Sequence, residues 1–413
     1  MSLIYTNTYL NISATSAQNG HQGCYRSRDP TKVAGLPVKR IRPDSDRKSW
    51  IHSDSDGMSW FKLVYSGIWR ENVDQAPLSQ RVWVLQERLL SPRVLHFSAD
   101  QVLWECRENY ACETFPDSIP LMLRGVGFLT DVYLRDFVPR KPAASYGQYG
   151  EYMETELWSK IVETYSKADL TFRKDKLIAL SGITREIQHL LKSTYAAGLW
   201  RCHLSYSLLW TAKSGAYRST DYLAPSWSWV SVEGPISFPD GMREVFNLLK
   251  LKGECATVLD IGIDLVTPTD PFGQVKSGWI RLRGKVGVAS WKWTKSEDNW
   301  TEETPILLTN YIPPFQAYTE INNPEQFYLF PENDNFTTVV SIYLDDTIDI
   351  PCQQAFFFPV YKQSVTYGGC SADGLLLQLL PTGQFARIGK LSFTDDRMER
   401  ILAAFEDRDI VII

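Results

Sequence analysis

One short amphipathic segment carries the residues best suited to chemistry. Trp83, Gln86, Glu87 and Leu90 are spaced i, i+3, i+4 and i+7, so one face of a helix would present all four. A carboxylate beside an amide and an indole could bind a nucleotide, with Glu87 as acid, base or ribose acceptor. The alternative is structural: Trp83 and Leu90 anchor a core, and Glu87 pairs with an arginine such as Arg81. We favour the structural interpretation and leave the chemical one open.

Acidic and sulfur-bearing side chains follow a little further along the chain. Glu105, Cys106, Cys112 and Glu113 lie in one short stretch, and His96 precedes them. A Cys-x5-Cys pair near a histidine hints at a metal, but structural zinc sites usually show two short Cys/His pairs, and this stretch has one. We therefore expect no metal site and interpret Cys106 as a buried strand residue. Glu105 and Glu113 remain candidate acids or bases.

Together these segments define a candidate site of three carboxylates and five binding residues. The catalytic candidates are Glu87, Glu105 and Glu113, and the binding candidates are Arg81, Trp83, Gln86, His96 and Trp104. Each also has a structural interpretation, because a histidine between two apolar residues and a strand tryptophan are usually core residues. The serine-hydrolase pattern Gly-x-Ser-x-Gly and the glycine-rich phosphate loops do not occur in the sequence.

The candidate residues need a helix and a hairpin to position them. We predict a helix over residues 80–90, with Ser79 as its N-cap and Pro92 ending it. A β-hairpin should follow, with strands at Arg93–Phe97 and Val102–Cys106. In this arrangement Trp83 and Leu90 should be largely buried against the hairpin.

Along the whole chain, the predicted secondary structure changes from mixed to helical and then to β-rich. A strand is predicted at Tyr9–Ala14, helices within 155–192, and a short helix across Trp200–Trp210. The remaining strong signals are strands near the C-terminus, at 278–284, 336–344, 355–361, 374–380 and 409–413. We therefore predict a mixed α+β fold with divisions at 1–130, 131–235 and 236–413.

Composition narrows the class of protein further. The 413 residues carry a formal net charge of −5 and no uninterrupted basic block, which argues against nucleic-acid binding. No secretory leader and no run of about 18 apolar residues is found, so we expect no membrane span. Seven scattered cysteines lack the spacing of a disulfide framework, and a cytoplasmic protein with reduced thiols is expected.

The segment from Pro77 to Phe97 resembles the motif that closes the fungal heterokaryon-incompatibility (HET) domain. It reads Pro77-Leu-x-x-Arg81-x-Trp83-x-x-Gln86-Glu87-Arg88-Leu89-Leu90-Ser91-x-Arg93-x-Leu95-His96-Phe97. Further blocks similar to the same family occur in order at Ile4–Tyr9, Ala14–Ala17, Trp104–Cys106, Ala111–Glu113, Asp175–Gly182, Tyr195–Trp200, Ala224–Trp229, Gly374–Leu377 and Arg387–Gly389. The resemblance therefore spans most of the chain.

This resemblance implies a fold and a role. Residues 1–130 would be the C-terminal half of an α/β HET-like domain, distantly like the Toll/interleukin-receptor fold. The blocks Tyr-x-x-Leu-Ser-Tyr-x-Trp-Gly and Trp-Ile-Asp-x-x-Cys-Ile, with which the family's domain usually opens, are not found here. The chain would then act in fungal non-self recognition and programmed cell death through protein contacts, with an incomplete catalytic site and no cofactor.

An enzyme is the alternative, and whether the chain catalyses a reaction stays open at this point. The same scaffold could bind a small molecule as a cyclase, isomerase or hydrolase of fungal secondary metabolism, or it could cleave NAD. NAD would be a cofactor only under this alternative.

Overall fold

The computed structural model has two compact units, Met1–Arg140 and Lys141–Ile413. It describes residues 2–41, 58–120, 123, 150–239, 253–292, 304–308, 315–320, 323–331, 339–346, 354–364, 370–395 and 398–413. The mixture of helices and strands, with a β-rich C-terminal region, confirms the predicted mixed fold. The three predicted divisions at 1–130, 131–235 and 236–413 stay predictions.

The first unit combines short helices with a small sheet. Its helices are α1 (Ser2–Thr6), α2 (Pro30–Ala34) and α3 (Val82–Leu90). Its strands are β1 (Asn11–Ser13), β2 (Leu36–Ile41), β3 (Met58–Leu63), β4 (Arg93–Phe97), β5 (Val102–Cys106) and β6 (Tyr110–Cys112). A π-helical turn at Arg70–Asp74 and a 3-10 turn at Pro77–Gln80 lead into α3.

A four-stranded sheet in the order β1-β4-β5-β6 forms the framework of this unit. Strand β1 runs parallel to β4, whereas β4 and β5 form the predicted antiparallel hairpin, with Arg93 opposite Cys106. Burial alternates along both hairpin strands, and the inward positions include His96 and Glu105. Two polar side chains therefore face the interior of the unit.

Helix α3 differs from its prediction at its first turn. Pro77 begins a 3-10 turn that contains Ser79, so the helix starts at Val82 after Arg81, and Ser79 is not its N-cap. Leu90 is buried, as predicted, but Trp83 is only half-buried, and the prediction that it is a largely buried anchor is wrong. Trp69 is instead the fully buried tryptophan of this core, packed with Leu103 and Tyr110.

The first half of the second unit contains helices at the predicted positions together with short strands. Its helices are α4 (Gly150–Ser166), α5 (Ser181–Leu191) and α6 (Leu204–Ser207), with α7 (Met398–Ala403) near the C-terminus. Short paired strands lie between them at β7 (Tyr195–Ala196), β8 (Leu199–Trp200), β9 (Thr211–Ala212), β10 (Tyr217–Arg218), β11 (Val232–Glu233) and β12 (Ile236–Ser237). The predicted stripe Trp158, Ile161, Val162 and Tyr165 is buried along α4.

Two of the sequence blocks meet at the carbonyl oxygen of Gly198 in this unit. Gly198 O accepts hydrogen bonds from Trp158 Nε1 at 3.1 Å and from Trp229 Nε1 at 2.9 Å. Ser228 Oγ donates to Ala197 O at 2.5 Å. The Tyr195–Trp200 and Ala224–Trp229 segments are therefore structural, because each supplies a group that satisfies a buried polar atom of another segment.

Long strands follow, and most of them join one eight-stranded sheet. The strands are β13 (Ala256–Leu265), β14 (Val275–Lys292), β15 (Thr304–Leu308), β16 (Phe315–Glu320), β17 (Asn323–Pro331), β18 (Val339–Leu344), β19 (Gln354–Ser364), β20 (Cys370–Leu379), β21 (Phe385–Asp395) and β22 (Glu406–Ile412). The sheet has the order β13-β14-β19-β20-β21-β18, with β15 and β22 also paired to β14. All five predicted C-terminal strands lie in it, apart from residues 336–338, which are outside the described residues.

A buried ion pair lies beside this sheet at β21. Arg387 and Asp345 are both fully buried, and Arg387 Nη2 donates to Asp345 Oδ1 at 3.0 Å. Arg387 also donates to Trp210 O at 2.5 Å and stacks on the Trp210 ring at 3.5 Å. Burial lowers the pKa of Arg387 to about 10. The negative charge of Asp345 opposes this decrease, because it favours the charged guanidinium.

No helix in the described part of the chain has both the length and the apolar character needed to cross a bilayer.

Candidate functional site

A chain of polar side chains, buried at one end and half-buried at Arg88 and Asp74, runs through the first unit and contains two of the predicted site residues. Thr15 Oγ1 lies 3.0 Å from His96 Nδ1, and His96 Nε2 lies 3.0 Å from Glu105 Oε2. The same Glu105 oxygen accepts a hydrogen bond from Arg88 Nε at 2.8 Å, and Arg88 Nη1 donates to Asp74 Oδ1 at 2.9 Å. We call Thr15, His96, Glu105, Arg88 and Asp74 the buried relay.

The proton positions follow from which atoms of the buried relay can donate. A neutral imidazole has one N–H, and the Glu105 carboxylate can only accept. The arrangement that satisfies both contacts places the proton on His96 Nε2, so that Nδ1 accepts from the Thr15 hydroxyl. Arg88 supplies the positive charge that lets Glu105 remain an anion inside the unit.

Trp69 covers one side of the buried relay. Its ring makes edge contacts with His96 at 5.9 Å and with Tyr110 at 4.9 Å between centroids. The Arg88 guanidinium carbon lies 5.7 Å from the Trp69 ring centroid, within the range of a cation–π interaction. The indole therefore excludes water from the ion pair and strengthens it electrostatically.

Thr15, His96 and Glu105 stand in the order of a nucleophile, a base and the carboxylate that orients the base. Hydrolytic chemistry, however, requires that a substrate reach the hydroxyl. Thr15 is 1% exposed and His96 is 2% exposed. The closed geometry supports a structural role, in which the buried relay ties α3 to β4, β5 and the end of β1.

Glu87 lies outside the buried relay, on another side of α3. Burial raises the pKa of this half-buried carboxyl, while a hydrogen bond from the Tyr5 hydroxyl and the charge of Arg81 oppose the rise. The same contact, together with burial, raises the pKa of Tyr5 to about 12. Desolvation therefore outweighs the charge of Arg81, the arginine with which Glu87 was expected to pair.

Glu113 is the most exposed of the three carboxylates. It forms an ion pair with Arg28, and it accepts a hydrogen bond from the Val102 backbone N–H at 2.7 Å. These contacts hold the end of the hairpin in place.

The predicted residues are therefore not gathered around one cavity. His96 and Glu105 are in contact, whereas Trp104 points to the opposite face of β5 from Glu105. Gln86 is buried within α3, and Trp83 and Arg81 lie near the start of that helix. Among the described residues, no group of three or more histidine, cysteine, aspartate or glutamate side chains could hold a metal ion.

Sequence reasoning missed the partners that complete the buried relay. Thr15, Asp74 and Trp69 come from distant, irregular segments and carried no local signal. Arg88 was detectable in principle, because it follows Glu87 directly on the predicted helix. The inward alternation of His96 and Glu105 on paired strands was the available hint, since two polar residues on a buried face must satisfy one another.

Residues 1–87 match the family model described as Heterokaryon incompatibility protein (HET). This part of the chain is therefore similar to the HET domain. The match covers 87 of the chain's 413 residues and ends within α3, so it includes Thr15 and Asp74 but stops before Arg88. No curated protein and no solved structure matches the chain.

Proposed function

We propose that this protein acts in fungal non-self recognition and programmed cell death, through protein contacts in the cytoplasm. The observation that supports this proposal most strongly is that Glu105, a central carboxylate of the first unit, is enclosed by Arg88 and His96 and is 1% exposed. Such a group stabilises a fold and does not meet a substrate. A Toll/interleukin-receptor-like ancestry of the first unit belongs to the same proposal.

Exposed apolar side chains near the N-terminus support the protein-contact part of the proposal. Leu3, Ile4, Tyr9, Ile12 and Tyr25 are between 60% and 89% exposed. Large apolar groups in water are typical of surfaces that bind another protein. Strand β1, which carries Ile12, is also the end strand of its described sheet, so its outer edge can accept a partner strand.

Inducible expression of the chain in a filamentous fungus tests this proposal. We expect growth arrest with the wild type and its loss with the double variant Tyr9→Ser/Tyr25→Ser, since both side chains are exposed and add little to stability. Leu379→Ser, an exposed apolar position in the second unit, is the matched control and should still cause arrest. Arrest by both variants would contradict a role for the N-terminal surface, and no arrest by folded wild type would contradict the function.

One observation favours an enzyme as the second candidate. The raised pKa of Glu87, beside the Tyr5 hydroxyl, is the direction that a general acid needs. Under this candidate, Glu87 would protonate the leaving group of a small-molecule substrate, or it would accept a hydrogen bond from the ribose of NAD, whose nicotinamide leaves as a neutral base without protonation. Carbon-13 NMR of the Glu87 carboxyl would test it: a titration midpoint of about 6–7 supports an acid, and one near the ordinary glutamate value opposes it.

A further inference from the structure

A cavity of about 330 Å³ lies in the second unit, far along the chain from the HET match. Four of the side chains that line it are cationic, Arg173, Lys174, Lys176 and Lys276, and none is acidic. This local excess of positive charge contrasts with the formal net charge of the whole chain, which is −5. Charges of one sign around a concave wall reinforce one another's field, so the cavity attracts anions.

The innermost cation of this cavity is Lys176. Its ammonium donates to Val230 O at 3.4 Å and to Val232 O, and it lies 5.2 Å from the Trp229 ring centroid. An ammonium has three N–H donors, and the described residues supply acceptors for two. Burial lowers the pKa of Lys176 to about 8, although the charge of Glu233 favours the protonated form. A bound anion would supply a third acceptor and would add its negative charge to that of Glu233.

The other three cationic side chains are exposed, so an anion from solution can reach them. Within the described part of the chain, none of Arg173, Lys174 and Lys276 forms an ion pair. Arg173 is held in place by a 3.2 Å hydrogen bond to the Tyr217 hydroxyl and by the Tyr217 ring below it. The Gln274 side chain donates to Lys174 O at 3.0 Å and so fixes the turn that carries two of the cations.

A second cavity of about 550 Å³ adjoins the first, and the two share Tyr222 and Leu223 in their walls. The wall of the second cavity includes the indole of Trp279 and several hydroxyl-bearing side chains, and its two charged side chains, Arg218 and Asp221, are of opposite sign. Aromatic rings and hydroxyls suit an uncharged ring with polar substituents. The pair of cavities therefore offers one end to an anion and the other to a ring.

We propose that these two cavities bind a small organic phosphate that carries an aromatic group, with its phosphate among Arg173, Lys174, Lys176 and Lys276 and its ring beyond Tyr222. Several cations around one site suit a phosphate better than a carboxylate, because a phosphate carries more charge and more acceptor oxygens. A cavity of this size accommodates a small ligand. The proposal does not depend on the function assigned to the first unit.

Calorimetric titration of the full chain in a phosphate-free, low-salt buffer tests the proposal. The probes are adenosine 5′-monophosphate, inorganic pyrophosphate and adenosine. We expect the monophosphate to bind more tightly than adenosine, and pyrophosphate to compete with it. Arg173→Glu and Lys276→Glu change exposed side chains, so both should fold, and each should weaken monophosphate binding about tenfold or more.

Lys213→Glu is the matched control, since it makes the same change of charge at an exposed lysine outside the cavities. It should leave the dissociation constant unchanged. The proposal is overturned if neither phosphate binds at millimolar concentration, if adenosine binds as well as its monophosphate, or if Lys213→Glu weakens binding as much as Lys276→Glu. It is also overturned if only a polyglutamate peptide binds, since that result would indicate an acidic protein partner.

Discussion

At the scale of single residues, the environment of each candidate carboxylate decides what it can do. Glu105 is enclosed with two nitrogen-bearing partners, Glu113 is paired at the surface, and Glu87 is half-buried beside a phenol hydroxyl. The residue types were visible in the sequence, but these environments depend on segments far apart in the chain. Thr15 and His96, for example, are separated by 81 positions.

Removing the charge of Glu105 should be costly, because it leaves the Arg88 guanidinium without its buried partner. We expect Glu105→Gln to lower the free energy of unfolding by about 3–5 kcal/mol. Glu113→Gln breaks an ion pair whose partners are more than one-third exposed on average, and it should cost about 1 kcal/mol or less. Urea denaturation of the two variants measures the difference, and equal costs would contradict the structural role of the buried relay.

His203 should make stability depend on pH in the acid range. Burial lowers its pKa from 6.5 to about 4. Between these values the unfolded chain binds a proton that the folded chain does not, so acidification favours unfolding. Between pH 7 and pH 5 this residue should remove about 2 kcal/mol of stability. Urea melts should show that His203→Gln loses less stability over this interval than the wild type; parallel losses would refute the assignment.

At the scale of elements, local pattern predicted most of what the structure contains. The hairpin at Arg93–Phe97 and Val102–Cys106 was predictable because its alternation and turn are local. The start of α3 was not, since Pro77 permits either a helix or the 3-10 turn that forms. The burial of Trp83 was also overestimated, because periodicity places a residue on a face but does not say how much of that face is covered.

Two glycines of the second unit allow a test of the close packing between Gly198 and Trp229. Gly198 and Gly215 both have positive φ, 95° and 84°. A Cβ at Gly198 would lie 2.7 Å from Trp229 Nε1, whereas a Cβ at Gly215 meets nothing within 4 Å. Gly215→Ala should therefore cost about 1 kcal/mol of backbone strain. Gly198→Ala should cost clearly more, because it also displaces the tryptophan. Thermal melts of both variants compare them, and equal shifts would contradict the close packing at Gly198.

At the scale of the whole molecule, the sequence correctly indicated a mixed fold with a β-rich C-terminal region. It gave no indication of the two adjoining cavities, because their walls come from the turn at Arg173–Asp175, the segment near Tyr222 and strand β14. Strand pairings such as β14 with β22, which join residues more than a hundred positions apart, were likewise beyond local pattern.

The thiols provide a test of the predicted compartment. The six described cysteines, Cys24, Cys106, Cys112, Cys202, Cys255 and Cys370, are thiols, and Cys352 lies outside the described residues. A reducing cytoplasm should leave all seven reduced. Titration of denatured, unreduced protein should count close to seven thiols. A count of five or fewer in freshly purified protein would contradict the cytoplasmic proposal.

The central proposal is that the first unit acts through protein contacts and not through chemistry at Glu87, Glu105 or Glu113. Incubation of purified wild type and Glu87→Gln with NAD, followed by chromatographic measurement of the remaining NAD, tests it most directly. We predict that neither protein consumes NAD faster than buffer alone. NAD turnover by the wild type that disappears in a Glu87→Gln variant with an unchanged melting temperature would contradict the claim and identify Glu87 as catalytic.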